Sequence, residues 1–193
     1  MKLTLYYAPN ACSLVSLISL NESGADFEIK PVNLRKAEQM NPEYLRMNPK
    51  HKVPVLLIDA KPLTENVAMA LWMTRAFPQA GILPADSDTE VKAISIMAWC
   101  ASGIHPHLTR INSPVKFCDT PGSDESIKRL AVKELDYVFG IADDMLAGRE
   151  YFFDKWCAAD SHFFWTWRRA IQFGLDFSNV GKNGHSAPFS WAA

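Results

Sequence analysis

The first eighty residues alternate between strand and helix patterns, and this alternation constrains the fold more than any other feature of the chain. Residues 2–8 alternate before a proline-asparagine turn, which predicts a short strand. Apolar side chains then follow helical spacing from Cys12, with Leu14, Leu17 and Ile18 on one predicted face. A second strand pattern, "DFEIKPV", follows. The chain therefore begins with a predicted strand, helix and strand.

A second group of patterns completes this region after a polar stretch. Val55 to Ile58 predict a strand, and Leu63-Thr64 predict a short return strand after a turn. Helical spacing then returns up to Pro78 through Val67, Ala70, Leu71 and Thr74. A parallel pair joined by a crossover helix, followed by a hairpin and a closing helix, forms one compact α/β unit.

The second half of the chain shows helical patterns only. They cover residues 88–104 and 125–146 and an aromatic segment over 152–170. Ser87 and Glu90 have the spacing of a capping box, which predicts where the first of these helices begins. An all-helical second half is therefore expected.

These patterns predict two domains joined by a linker. The α/β domain covers residues 1–80, a linker with Pro84 and polar residues covers 81–88, and the all-helical domain covers 89–193. The tail from about residue 175 is atypical, because it is rich in Gly, Asn and Ser and has no apolar periodicity. We expect this tail to be irregular or disordered.

Composition and charge restrict the partners and the compartment. Of the 193 residues, 48% are hydrophobic and 21% are charged, and the net charge is −1 without a block of like charges. Binding to nucleic acid or to an acidic membrane is therefore not expected. The chain has no secretion signal pattern and no apolar segment of membrane-spanning length. Four scattered cysteines without a zinc-ligand spacing indicate reduced thiols in a cytoplasmic protein that needs no metal.

Cys12 is the first candidate functional residue, because it lies where the first helix begins. A helix start presents unpaired N–H groups and the positive end of the dipole, and both favour a thiolate. Such a thiol suits a reactive or thiolate-binding role. The alternative is a small buried hydrophobic residue, since cysteine is often buried.

Two further positions suit a peptide-like ligand. Val53-Pro54 precedes a predicted strand, and proline has no N–H for a sheet ladder, so the backbone there can remain open. Glu65-Asn66 precedes a predicted helix, whose start can hold a carboxylate, although ordinary capping would need the same residue types. Each of these signals is weak alone.

Taken together in this order, the motifs resemble the glutathione transferases, and most closely their bacterial beta class with a cysteine. The matching stretches are "YYAPNACSL", "MNPKHKVPVL", "LTENVAMALWM", "GIHPHL" and "WCAADSHFFW". The resemblance covers about residues 1–173. It implies a thioredoxin-like N-terminal domain that binds glutathione, an all-α C-terminal domain and a homodimer.

The resemblance also implies roles for residues around the sulfur of glutathione. Cys12 would lie beside this sulfur and could form a mixed disulfide with it, with the Ser13 hydroxyl adjacent. His105 matches a beta-class histidine near the sulfur, although its position alone favours a polar residue at a helix end. Tyr7 lies where other classes place a catalytic tyrosine. These four residues are the expected catalytic set.

A second set of residues would hold the rest of glutathione. Val53 would pair its backbone with the cysteinyl part, and Pro54 would be cis. Glu65 and Asn66 would hold the γ-glutamyl end, with Glu65 taking the amino group and the helix start taking the carboxylate. Lys52 would contact the glycyl carboxylate.

The implied activity is conjugation of the glutathione thiolate to small hydrophobic electrophiles, a detoxification reaction with glutathione as co-substrate. Two alternatives stay open: a glutathione-dependent thiol-disulfide oxidoreductase acting through Cys12, and a non-catalytic binding protein. The chain departs from the family at Cys157, where a serine or threonine usually caps the helix. We therefore expect Asp160 to lack its usual partner and the helix start to be weak.

Overall fold

The structure is a computed structural model that describes residues 1–175. The chain divides into two compact units. The first contains Met1–Met97 and Cys157–Trp165, and the second contains Ala98–Trp156 and the described residues from Thr166 onward. The domain boundaries predicted at residues 80 and 89 stay a prediction, and the atypical tail lies outside the described residues except for Leu175.

The first unit contains the predicted strands and helices in the predicted order. Its elements are β1 (Leu3–Tyr7), α1 (Ser13–Glu22), β2 (Glu28–Pro31), α2 (Pro42–Met47), β3 (Val55–Ile58), β4 (Lys61–Thr64), α3 (Asn66–Ala76) and most of α4 (Ser87–Trp99). Short 3₁₀ turns lie before α2 and after α3. The short helix α2 was not predicted, because it lies in a polar stretch without clear periodicity.

The four strands form one sheet in the order β2-β1-β3-β4. β1 is parallel to β2, with Leu5 opposite Ile29, and antiparallel to β3, with Tyr6 opposite Val55. β3 and β4 form the predicted hairpin. The central strands β1 and β3 carry buried residues, whereas the edge strand β2 is exposed along its length.

The buried face of α1 differs from the predicted one. Val15 and Leu20 are buried together with three serines, whereas Leu14, Leu17 and Ile18 are only half-buried. The serines tolerate burial because their hydroxyls find partners; that of Ser19 donates to the Val15 carbonyl at 2.9 Å. In α3 the predicted Ala70 is buried, together with Asn66, Met69 and Met73, whereas the other three predicted residues are half-buried.

The start of α4 corrects the predicted capping box. The Asp86 carboxylate, and not Ser87, caps this helix by accepting the backbone N–H of Thr89 at 2.8 Å and its hydroxyl at 2.6 Å. The cap therefore lies one residue earlier than predicted, because the Asp86 carboxylate is the group that reaches the free N–H. The preceding segment contains fully buried Ile82, whose carbonyl accepts the Ala158 N–H at 2.8 Å.

The remaining helices differ from the predicted bounds at their ends. α4 passes into a π-helical turn (Cys100–Ile104) and then α5 (His105–Asn112), and these are followed by α6 (Asp124–Met145) and α7 (Ala158–Gln172). The predicted start of the third helix, at residue 152, is six residues too early, since residues 152–157 lie outside α7. Within residues 1–175, no helix has the length and apolar run needed to cross a membrane.

The start of α7 corrects the expectation of a weak cap. The Asp160 carboxylate accepts the backbone N–H of Cys157 at 2.9 Å, and both residues are buried. This is the backbone half of a capping box, and it does not need a hydroxyl at position 157. The cysteine substitutes for the usual serine or threonine without leaving Asp160 unpartnered.

Candidate functional site

Cys12 lies in the turn between β1 and α1, at the residue that caps the helix. Its side chain is half-buried, and its thiol donates a hydrogen bond to the Val53 carbonyl, with 3.4 Å between sulfur and oxygen. The two residues are 41 positions apart in the sequence. The fold thus brings together two of the residues that the resemblance assigned to one site.

The protonation state of Cys12 corrects an expectation from its position. Burial raises its pKa to about 11, and the Glu65 carboxylate acts in the same direction. Hydrogen bonds and the Lys52 ammonium lower it, but by less. The helix start alone predicted a thiolate, whereas in the free protein Cys12 is a neutral thiol at pH 7 because burial is the larger effect.

The peptide bond between Val53 and Pro54 is cis, as the resemblance implied. Both residues are buried and lie directly before β3. Val53 belongs to an apolar cluster with Ala8, Val32, Tyr44 and Val55. The backbone that would meet a peptide ligand is therefore supported from behind by side chains.

Ser13 is fully buried beside Cys12. Its hydroxyl accepts the Ala8 N–H at 3.0 Å and donates to the Ala8 carbonyl at 3.1 Å. Because the hydroxyl uses both its donor and an acceptor position within the chain, this geometry favours a structural role over the catalytic one. Ser13 closes the turn that places Cys12.

Asn66 connects the start of α3 to α1. Its side-chain amide donates to the Cys12 carbonyl at 3.1 Å and accepts the Ser16 hydroxyl at 2.6 Å. Asn66 is buried, and its proximity lowers the pKa of the Cys12 thiol. Ser16, which the sequence analysis did not single out, also contacts the sulfur of Met69 at 3.1 Å.

Glu65 lies at the same turn but points to solvent. Its φ of +74° lies in a region that non-glycine residues rarely adopt, directly before the first residue of α3. Its carboxylate forms an ion pair with Lys50, whose ammonium also donates to the Thr64 hydroxyl at 2.8 Å. Sequence reasoning missed this role of Lys50, because a loop lysine carries no positional signal.

The two remaining predicted site residues of the first unit are Lys52 and Tyr7, and each accepts hydrogen bonds through its backbone carbonyl. The Lys52 side chain is exposed, while its backbone carbonyl accepts two hydrogen bonds, from Tyr44 and Asn48. Tyr7 is half-buried at the end of β1, and its carbonyl accepts the Val32 N–H at 2.7 Å. Their predicted contacts with a ligand stay predictions.

His105 belongs to the second unit. It is the first residue of α5, directly after the π-helical turn, and it is half-buried. Its predicted place near the reacting sulfur stays a prediction. Pro106 follows it inside the first turn of α5, where a proline is tolerated.

Fold and site together define a class of protein. A parallel strand pair extended by an antiparallel hairpin, with a cysteine at the first helix and a cis proline before the third strand, is a thioredoxin-like domain. Helices follow it in the chain.

Comparison with known proteins identifies the family. Residues 1–72 match the family model described as glutathione S-transferase, N-terminal domain. The chain is 33% identical over 180 residues to glutathione S-transferase GstA of Escherichia coli O157:H7, which covers 89% of this chain and 85% of that protein. The chain belongs to the glutathione S-transferase family, and this confirms the predicted transferase and the predicted fold.

Solved structures agree with this assignment. A glutathione transferase homolog from Sulfitobacter with bound glutathione has a TM-score of 0.86 and 26% identity, covering 94% of this chain and 88% of its own. A bacterial beta class glutathione S-transferase from Sphingomonas chungbukensis has a TM-score of 0.78 and 29% identity, with coverages of 92% and 87%. The expected co-substrate, glutathione, is the one after which the family is named.

Proposed function

We propose that this chain binds glutathione in its first unit and conjugates its thiolate to small hydrophobic electrophiles. The observation that carries the proposal is the hydrogen bond between the Cys12 thiol and the Val53 carbonyl, beside the cis Pro54. This contact joins a sulfur to a backbone acceptor at the start of β3. A thiol-containing peptide needs both kinds of group.

The Val53 carbonyl suggests how binding and thiol activation are connected. A carbonyl oxygen in this position can accept the cysteinyl N–H of glutathione, as in the addition of a strand. Cys12 would then be released from Val53, and its neutral thiol would donate a hydrogen bond to the sulfur of glutathione. Lowering the pKa of that sulfur by about two units corresponds to about 2.7 kcal/mol.

The ends of glutathione carry charges that match residues of the proposed site. The γ-glutamyl amino group is positive and suits Glu65, while Asn66 and the start of α3 suit the γ-glutamyl carboxylate. Lys52 suits the glycyl carboxylate. Lys50 already pairs with Glu65, so the amino group would share that carboxylate with it.

Disulfide exchange through Cys12 is the alternative activity. Exchange requires a thiolate as the attacking group, and the pKa of about 11 leaves Cys12 protonated at neutral pH. The same raised pKa suits a hydrogen-bond donor. The state of Cys12 therefore favours conjugation over disulfide reduction as the main reaction.

Titration calorimetry with reduced glutathione at neutral pH tests the binding step. Saturable binding by the wild type supports the proposal, and absence of binding by folded protein contradicts it. A non-catalytic binding protein would bind glutathione without turning over any electrophile or disulfide above background.

The Cys12→Ala variant separates the two reactions. We expect it to lose disulfide reductase activity and to keep conjugation of a model electrophile within about tenfold, which is the size of one lost hydrogen bond. Loss of conjugation to background would instead make Cys12 a covalent participant. A Cys118→Ser variant in the second unit serves as the matched control, because it removes a thiol outside the proposed site.

We further propose a beta-class enzyme that acts in the cytoplasm as a homodimer in detoxification. Cys12 and the likeness to the Sphingomonas beta class enzyme support the class. Reduced glutathione is a cytoplasmic thiol, which supports the location. Sedimentation as a single 21.7 kDa species would contradict the dimer.

A further inference from the structure

Two buried side chains converge on one backbone carbonyl next to the proposed glutathione site. The Tyr44 hydroxyl donates to the Lys52 carbonyl at 2.7 Å, and the Asn48 side-chain amide donates to the same oxygen at 2.8 Å. Tyr44 is 5% exposed and Asn48 is 1% exposed. A carbonyl oxygen has two lone pairs, so these donors satisfy it fully.

Both donors are held firmly from behind. The Tyr44 ring lies in the apolar cluster with Val53 and meets the Tyr6 ring edge-on, with 5.9 Å between the centroids. Burial also raises the pKa of Tyr44, which keeps its hydroxyl proton in place for donation. The position of this hydroxyl is therefore determined by the core and not by solvent.

Asn48 organises the loop that leads to the site. Its side-chain oxygen accepts the Lys50 N–H at 3.2 Å, and its backbone carbonyl accepts the His51 N–H at 3.0 Å. His51 has a φ of +48°, so the loop turns sharply before it reaches Lys52. Together with its bond to the Lys52 carbonyl, Asn48 thus contacts each residue of the loop from Lys50 to Lys52.

Fixing the Lys52 carbonyl also fixes the neighbouring N–H. The carbonyl of Lys52 and the N–H of Val53 belong to one planar trans peptide, in which they point in opposite directions. Two hydrogen bonds that hold the oxygen on the core side therefore direct the Val53 N–H away from them. Val53 offers this N–H and its own carbonyl at the place where a peptide ligand would pair.

We infer that Tyr44 and Asn48 are positioning residues that orient the Val53 backbone for glutathione. The inference rests on the proposed function, since it concerns how the proposed site recognises its co-substrate. Neither side chain contacts glutathione. Their effect passes through the Lys52–Val53 peptide to the cysteinyl part of the ligand.

The Tyr44→Phe variant tests the inference, because it keeps the ring and removes the donor. We expect the dissociation constant of glutathione to rise about fivefold to tenfold, the size of one lost hydrogen bond. S-methylglutathione, which has the same backbone and no thiol, should lose affinity by the same factor. An equal loss for both ligands places the defect in backbone recognition and not in the sulfur contact.

The Ser19→Ala variant is the matched control. It removes a buried hydroxyl that donates to a backbone carbonyl at 2.9 Å in the same unit, away from the proposed site. We expect a small loss of stability and unchanged binding of both ligands. If Tyr44→Phe resembles this control, with lowered stability and wild-type affinity, Tyr44 is merely structural and the inference is overturned.

A second variant guards against failure of the first to fold. Asn48→Ala removes the donor to Lys52 together with the acceptor for Lys50 and buries no charge, and we expect the same loss for both ligands. Unchanged affinity in this variant would also overturn the inference. If the wild type itself binds neither ligand, the proposed function fails and the inference with it, whereas wild-type binding with unaffected variants overturns the inference alone.

Discussion

The helix starts at Cys12 and Cys157 have the same residue in the same position and use it differently. At α1, no side chain caps the helix and its first turn contains no acidic residue. At α7, the Asp160 carboxylate takes the backbone N–H of Cys157. The α7 start is capped by a side chain of its own first turn, whereas the α1 start has no side-chain cap.

The two thiols nevertheless share a raised pKa. Burial is the main cause at both, giving about 11 for Cys12 and about 12 for Cys157, and a carboxylate adds to it in each case. The dipole of a helix is worth up to about 2 kcal/mol in favourable partly buried positions, and here it does not overcome desolvation. A cysteine at a helix start is therefore not evidence of a thiolate until its burial is known.

The largest expected effect breaks the cap of α7. Asp160→Ala removes the acceptor of a buried N–H and should lower the free energy of unfolding by about 3 kcal/mol, measured by urea denaturation. Asp86→Ala, at the exposed cap of α4, is the control and should cost less, because water can replace the lost hydrogen bond there. Equal losses in the two variants would show that burial of the α7 cap adds nothing.

Thiol reactivity tests the shared protonation state. With a pKa about two units above the ordinary value, Cys12 should react with iodoacetamide at pH 7 about 100-fold more slowly than a free thiol. Cys118 is the internal control, because hydrogen bonds from Thr120 lower its pKa. Mass spectrometry of each cysteine over time gives the rates, and alkylation of Cys12 before Cys118 would contradict the prediction.

The pH dependence of the free energy of unfolding tests the raised pKa of Cys157. Between pH 9 and 12 an unfolded chain has lost the Cys157 proton while the folded chain keeps it, so stability is complete below pH 9 and falls as the pH rises. We expect the free energy of unfolding to fall by about 2 kcal/mol more, from pH 8 to 10.5, in the wild type than in Cys157→Ala. Equal slopes in the two proteins would show that this thiol titrates normally when folded.

The smallest expected effect compares the neighbouring carboxylates. Asp160→Asn should lower the pKa of Cys157 more than Glu65→Gln lowers that of Cys12, because Asp160 is buried and Glu65 is exposed to screening solvent. We expect a change of about a few tenths of a unit at Cys12. Thiolate absorbance followed against pH measures both, and a larger change at Cys12 would reverse the comparison.

Much of the first unit could be predicted from the sequence, because strand alternation and turn residues are local signals. The faces of α1 could not, since apolar periodicity favoured Leu14, Leu17 and Ile18, whereas the fold buries Val15 and Leu20 among satisfied serines. Whether a serine can be buried depends on where its hydroxyl bonds. That information is absent from a hydrophobic pattern.

The candidate site shows the same division. The sequence motifs located Cys12, Val53 and Pro54, and the fold brings them together. Tyr44 and Asn48 were missed, because their function depends on reaching a carbonyl in a loop and not on their position in a pattern. Supporting residues of this kind become visible only when the backbone direction is known.

The hydrogen bond from the Ala158 N–H to the Ile82 carbonyl has a consequence for biosynthesis. It joins residues 76 positions apart, and the first unit includes the segment up to Trp165. A ribosome must therefore synthesise the chain through residue 165 before this unit has all its parts. Folding during translation would pause at an incomplete intermediate, which molecular chaperones could bind and protect from aggregation.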